Sequence, residues 1–120
     1  MAKDFSGSLI LRDSKVLMFY NEEKDFWDVP SGRREDAELS ADAASRISEK
    51  FTGCSSEVLK YQSKFKTSFS YRDDEVIWQP YMVEINGDPK EGEWVETEEI
   101  PSKQLSPPLQ NISEKLAEKL

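Results

Sequence analysis

The order of apolar runs, polar turns and periodic stretches predicts a domain of the α/β or α+β class with elements β-β-β-α-β-β-β-α. Three observations carry this. Short apolar runs recur between turn-forming residues, as strands do. Residues 37–51 contain neither Gly nor Pro and are rich in alanine, which favours a helix. A last stretch places Leu109, Ile112, Leu116 and Leu120 at helical spacing behind Pro107 and Pro108.

Taken in order, Ser8–Leu11 and Lys15–Tyr20 flank the polar break Arg12-Asp13-Ser14 and read as a β-hairpin. After a polar loop at 21–25, Phe26–Val29 reads as a short strand stopped by Pro30, Ser31 and Gly32. On the helix over 37–51, Ser40, Ala44, Ile47 and Phe51 fall on one face, and Gly53 stands where a helix-ending glycine is expected. Val58–Lys66 and Glu75–Ile85 read as two long strands joined through Tyr71–Asp74, with Pro80 marking an edge or a bulge in the second. Glu93–Val95 reads as one more short strand before the C-terminal helix.

With 120 residues, 37% of them hydrophobic, the chain suits one core, so residues 1–120 are expected to form a single domain. The 24 Asp+Glu against 16 Lys+Arg give a formal net charge of −8. That balance argues against general nucleic-acid binding, which needs a basic stripe, and against an anionic membrane surface. No run approaches a transmembrane length, and the opening Met-Ala-Lys-Asp-Phe-Ser has no export-signal stretch. With a single cysteine, Cys54, the expected compartment is the cytoplasm. There is no histidine, which removes Ser-His and Cys-His nucleophile systems and the commonest general base.

The most specific segment is 26–53. It reads Phe-Trp-Asp-Val-Pro-Ser-Gly, five residues, Glu38, seven residues, Arg46, six residues, Gly53. This resembles the Nudix hydrolase (MutT-like) family, whose box G-x5-E-x7-R-E-U-x-E-E-x-G-U (U, bulky apolar) usually follows a Trp-x-x-Pro-Gly-Gly turn. Gly32, Glu38, Arg46 and Gly53 fall on the box, and Trp27 and Pro30 fit the lead-in. The resemblance extends to the flanking hairpins and to Trp94–Ile100 before the last helix. It implies an α/β/α sandwich with a mixed, largely antiparallel sheet and two main helices.

The departures from the box bear on chemistry. Ile47, Lys50 and Phe51 stand where the family has metal-binding glutamates, and Ser48 stands at an apolar position. Diphosphate cleavage brings a nucleophile to an anionic phosphorus, and divalent cations offset that charge and acidify a water. Hard cations require oxygen ligands, and positions 47, 50 and 51 share a helix face. None of the three residues present can ligate magnesium. The resemblance therefore implies a degenerate box that has lost the standard Mg-dependent hydrolysis, with no cofactor expected. The expected role is a binding module for a nucleotide-like ligand or a protein partner.

The alternative is a divergent hydrolase of a nucleoside diphosphate linked to another moiety. It would use Mg or Mn held by acids outside the usual positions: Glu35, Glu38, Glu49 or the Glu91–Glu99 region. The helix-start acids among them equally suit the helix dipole. Glu38 in the family supports the loop–helix architecture, and Arg46 is expected to pair with Glu49. Arg33, Arg34 and Lys50 are the candidate ligand-binding cations, with two loop arginines paired to Glu35 and Asp36 as the plainer reading. Trp27, Trp78, Tyr81 and Trp94 offer either base stacking or core packing. Lys60, Lys64 and Lys66 share a strand face.

Overall fold

A computed structural model describes residues 4–120. The first three residues of the N-terminal segment, on which the expectation about export partly rests, lie outside the described residues. The elements are β1 (Asp4–Arg12), β2 (Lys15–Asn21), β3 (Phe26–Asp28), β4 (Ser31–Arg33), α1 (Ser40–Thr52), β5 (Ser56–Tyr61), β6 (Thr67–Tyr71), β7 (Asp74–Ile85), β8 (Glu93–Glu96) and α2 (Pro107–Lys119). The strands form a mixed sheet with the order β3-β2-β1-β7-β5, in which β4 joins β1, β6 joins β7 and β8 joins β2. Among the strand pairs of the described residues only β1–β7 is parallel, and an isolated parallel bridge joins Trp27 to Leu105.

Alternation along the central strands builds a core on each face of the sheet. Leu9, Val16, Met18 and Trp78 point to the side covered by α2, where they meet Leu109, Ile112 and Leu116. Ile10, Leu17 and Val83 point to the opposite side and meet Ala44 of α1. The α1 side is also polar. Ser6 Oγ donates to the Ser40 carbonyl at 2.8 Å and Ser8 Oγ to the Ala44 carbonyl at 3.0 Å. Ser48 Oγ donates to Ser8 Oγ at 2.6 Å. The apolar position of the box is thus filled by a buried hydroxyl whose partner is another hydroxyl.

The β1–β2 hairpin opens away from its turn. Leu11 and Arg12 pair with Val16 and Lys15, whereas Phe5–Gly7 pair with β4 and Phe19–Asn21 pair with β3. Segment 26–33 therefore pairs with both diverging strands. This arrangement creates a cavity at that end of the sheet.

Several local expectations are corrected. The helix begins at Ser40 because Ala37 has a φ of 66° and the residue preceding Ser40, Leu39, is extended with a ψ of 146°. Its buried set is Ala43, Ala44, Ile47, Ser48 and Thr52, so Phe51, 36% exposed, leaves the core stripe. The strand beginning near Val58 ends at Tyr61, because a 3-10 turn at Ser63–Phe65 carries the fully buried Phe65 into the core. Lys64 and Lys66 therefore share no strand face with Lys60. The hairpin partner of β7 is β6. Pro80 lies at neither an edge nor a bulge; it falls between the stretches of β7 that pair with β5 and β6, and its carbonyl accepts the Gln62 N–H at 2.9 Å. A proline N there forfeits no ladder bond. The irregularity of register lies instead in β5, between Val58 and Lys60.

Candidate functional site

Gly32 sits in β4 with Ile47 of α1 beneath it; a Cβ at Gly32 would lie 3.1 Å from Ile47 Cδ1. This close approach suits glycine. Arg46 then clamps the loop to the helix. Its Nε donates to Glu38 Oε2 at 2.9 Å and its Nη2 to Glu38 Oε1 at 3.0 Å, while Nη2 also reaches the Arg33 carbonyl at 3.1 Å. Glu38 Oε1 accepts the Glu35 N–H at 3.0 Å. The hydrogen bond from Arg46 holds the Glu38 carboxyl below its ordinary value. At the far end Gly53 takes a φ of 73° and returns its N–H to the Glu49 carbonyl at 2.9 Å.

The expected Arg46–Glu49 pair is not formed. Glu49 turns to β5 and accepts from the Ser56 N–H at 2.9 Å and Ser56 Oγ at 3.1 Å. Glu35 lies 3.8 Å from Arg46. Arg34 is neither a loop cation free for ligand nor a partner of Glu35. Its Nε bonds both Asp4 carboxylate oxygens, at 2.9 and 3.0 Å, and its Nη1 bonds the Glu38 carbonyl at 2.7 Å. Arg33 ends β4 rather than lying in a loop, and its guanidinium stands 5.5 Å over the Tyr71 ring.

The three helix positions separate. Ile47 is 3% exposed and packs inward. Lys50 and Phe51 line a cavity of about 690 Å³ at the open end of the sheet. Phe51 meets Phe19 edge-on, with ring centroids 5.3 Å apart. Another wall carries Phe5, Phe69, Tyr71 and Trp78, and Ser106, Pro107 and Pro108 at the start of α2 close a third side. Phe5 stands edge-on to Phe69 and Tyr71, with centroids 5.2 and 4.9 Å away. The charged groups around the cavity are Glu22, Lys24, Asp28, Lys50 and Glu91. Of the strand aromatics, Trp78 is both fully buried and part of the cavity wall. Trp27 lies under Lys103 and Trp94 under Arg12, whereas Tyr81 OH bonds Ser40 Oγ.

Two cavity residues escape sequence reasoning. Asp28 is half-buried, and its Oδ1 accepts from the Val29 N–H and from Ser106 Oγ, both at 2.9 Å. Burial pushes its carboxyl up to about 7, against the opposing effect of these two hydrogen bonds. Ser31 stands where the lead-in turn has its first glycine, and its Oγ accepts the Trp78 Nε1–H at 3.2 Å. An isolated acid in a short strand carries no spacing signal, and its place within the lead-in turn is the one sequence cue to it.

The divalent metal implied by the resemblance does not fit these residues. The helix face offers a buried alkyl group, an ammonium and a phenyl ring. Of the substitute acids, Glu38 and Glu49 are each engaged by protein donors, Glu35 neighbours the Arg46 guanidinium, and of the Glu91–Glu99 region Glu91 lines the cavity while Glu96 lies 3.9 Å from Lys15. Among the described residues no group of three or more His, Cys, Asp or Glu is placed to hold a metal ion.

No family model and no curated protein matches the sequence. Solved structures do match. The chain is similar to a Nudix hydrolase from Nitrosomonas europaea, with 15% identity, TM-score 0.79, and coverage of 98% of this chain and 89% of that one. It is similar to a MutT protein from Methanosarcina mazei Go1, with 18% identity, TM-score 0.76 and coverage of 96% and 92%. An ADP-ribose pyrophosphatase from Streptococcus suis gives 14% identity, TM-score 0.69 and coverage of 98% and 88%. The mixed sheet and its flanking helices thus match those structures over nearly the whole length of the chain, and the chain has the Nudix fold.

Proposed function

We propose that this protein binds a nucleotide-like small molecule in the cavity at the open end of the sheet, and that it does not hydrolyse a diphosphate by the metal-assisted route. The observation that carries this reading is the division of the box helix. Its scaffold contacts through Glu38, Arg46 and Gly53 remain, while the side chains it turns to the cavity are Lys50 and Phe51. A cavity of about 690 Å³ walled by aromatic rings suits a small aromatic ligand better than a peptide segment. Lys24 and Lys50 supply cations for phosphate, and Arg33 is held against a cavity ring. Glu22 and Glu91 offset part of that charge, which favours modest affinity and a diphosphate over a triphosphate.

One observation favours the second reading, a divergent hydrolase: the similar structures are named as hydrolases, one of them an ADP-ribose pyrophosphatase. The two separate in one experiment. ADP-ribose and UDP-glucose are titrated by calorimetry in EDTA, and turnover is followed with added Mg or Mn. Binding that persists in EDTA, without metal-stimulated release of product, is the expected result. Metal-dependent turnover that disappears in Glu49→Gln would replace it with the hydrolase reading.

A further inference from the structure

The turn that follows β7 reads Asn86-Gly87-Asp88-Pro89, and Asn86, Gly87 and Asp88 are all exposed. It lies on the far side of the molecule's chemistry, since none of its residues lines the large cavity. Gly87 takes a φ of 100°, a backbone conformation that side chains disfavour. A Cβ there would meet nothing nearer than Cys54 Sγ at 4.0 Å. Among the described residues nothing accepts a hydrogen bond from the Gly87 N–H, whereas its carbonyl accepts from Arg12 Nη2 at 3.0 Å. The Gly87 nitrogen is therefore open to water and uncommitted, directly beside an asparagine amide.

The other two asparagines differ on each count. Asn21 precedes Glu22, and its Oδ1 accepts the Lys24 N–H at 3.0 Å. Asn111 precedes the β-branched Ile112 inside α2, where backbone N–H groups belong to the helix ladder. Its Nδ2 is also held, by the Ser68 carbonyl at 2.9 Å. Asn86 Nδ2 has a single tie, to Ser55 Oγ at 3.1 Å, on the surface.

The main chain around Asn86 is held more firmly than its side chain. The Asn86 N–H donates to the Ser55 carbonyl at 2.9 Å, and Cys54 Sγ donates to the Asp88 carbonyl at 3.3 Å. Arg12 Nη2 spans the residue, bonding the Ile85 carbonyl at 3.3 Å as well as that of Gly87. These contacts fix the spacing of the carbonyls on either side of the Asn86–Gly87 peptide.

We propose that Asn86 is a site of spontaneous modification, which deamidates through the Gly87 nitrogen to aspartate and isoaspartate, and that the turn accommodates the first product and is disrupted by the second. The Gly87 nitrogen gives its proton to water or hydroxide and attacks Asn86 Cγ. The Cγ–Nδ2 bond then breaks, and Nδ2 takes a proton from solvent and leaves as ammonia. Water adds to one of the two carbonyls of the resulting five-membered succinimide and reopens it. The net change is one water consumed and one ammonia released. Arg12 is the neighbouring cation for the charge gained, which favours the anionic intermediate and product. Aspartate keeps the length of the main chain and an oxygen for the Ser55 hydroxyl. Isoaspartate inserts a methylene group between the carbonyls that Arg12 spans, so those contacts cannot all persist.

The test ages the full chain in mildly alkaline buffer and follows the tryptic peptide 73–90, in which Asn86 is the one asparagine. The folded chain is expected to convert about threefold more slowly than the chain in urea, the effect of one exposed hydrogen bond, and Ser55→Ala removes that difference. The peptides carrying Asn21 and Asn111 remain amides over the same period. Asn86→Gln, which would need a six-membered ring, also stays unmodified. Among the aged products, separated by ion exchange, the isoaspartyl form has the lower thermal midpoint, while Asn86→Asp, the first product made directly, matches the wild type. A folded chain that does not convert while the urea-unfolded chain does overturns the assignment of the site. An isoaspartyl form as stable as the wild type, or an Asn86→Asp variant as unstable as the isoaspartyl form, overturns the discrimination between the products.

Discussion

At the scale of single residues, position 47 marks how far the box has moved from metal chemistry. Ile47 is 3% exposed and touches the space above Gly32, so its side chain is a packing element. Arg46, the neighbouring cation on the helix, is occupied by Glu38 and Glu35. A glutamate at 47 would be a buried anion without a free cation. Ile47→Glu is accordingly expected to cost about 2–4 kcal/mol in urea unfolding, from lost apolar burial plus an unpaired charge. Lys50→Glu, on the open cavity wall, should stay within about 0.5 kcal/mol of the wild type. Equal midpoints for Ile47→Glu and wild type would show that a carboxylate still has a place there.

At the scale of elements, α1 is held to the sheet by hydroxyl groups as much as by apolar side chains. Ser8 Oγ reaches the Ala44 carbonyl, and Ser48 Oγ reaches both Ser8 Oγ and that same carbonyl, at 2.6 and 2.8 Å. Removing one hydroxyl breaks the hydroxyl–hydroxyl bond and one of the two side-chain bonds to the Ala44 carbonyl, and the other bond remains. Ser8→Ala and Ser48→Ala are each expected to cost about 1–2 kcal/mol, and the double variant about 1 kcal/mol less than their sum. Strict additivity would show the two hydroxyls to be independent. This seam explains what was legible in the sequence. Helix periodicity finds Ala44 and Ile47 because they are apolar, but it counts Ser48 as polar and Phe51 as core, whereas Ser48 is buried against Ser8 and Phe51 is 36% exposed. Gly53 was legible because its role is local. The Arg46–Glu38 clamp, the Arg34–Asp4 pair and Asp28 were not, since each depends on strands brought together from distant parts of the chain. Strand β6 escaped because Thr-Ser-Phe-Ser-Tyr has too few apolar residues to show a two-residue period.

At the scale of the whole molecule, two carboxyls set opposite dependences of stability on pH. Folded Asp28 holds its proton up to about 7, against an ordinary value of 3.8. Between those values the folded state binds more protons than the unfolded chain, so stability falls as pH rises through the window and is level above it. The size is on the order of 2 kcal/mol once partial access to water is allowed for. Glu38 behaves in reverse: its pKa is lowered from 4.5, so its contribution is present above that value and is lost as pH falls through the depressed one. Thermal midpoints are therefore expected to peak in mildly acidic buffer and to decline toward pH 8, with the decline abolished in Asp28→Asn. A midpoint that rises from pH 5 to pH 8 in the wild type would contradict the placement of Asp28. The two faces of the sheet also differ in what they hide from water. The α2 side buries a large apolar cluster, whereas the α1 side buries a small one beside its serines. Detachment of α1 alone would expose little hydrocarbon and so carry a small heat-capacity increment, while loss of α2 would carry most of the increment of unfolding. The opening of smallest heat-capacity change is therefore the one that carries Lys50 and Phe51 away from the cavity, and it leaves Pro107 and Pro108 in place.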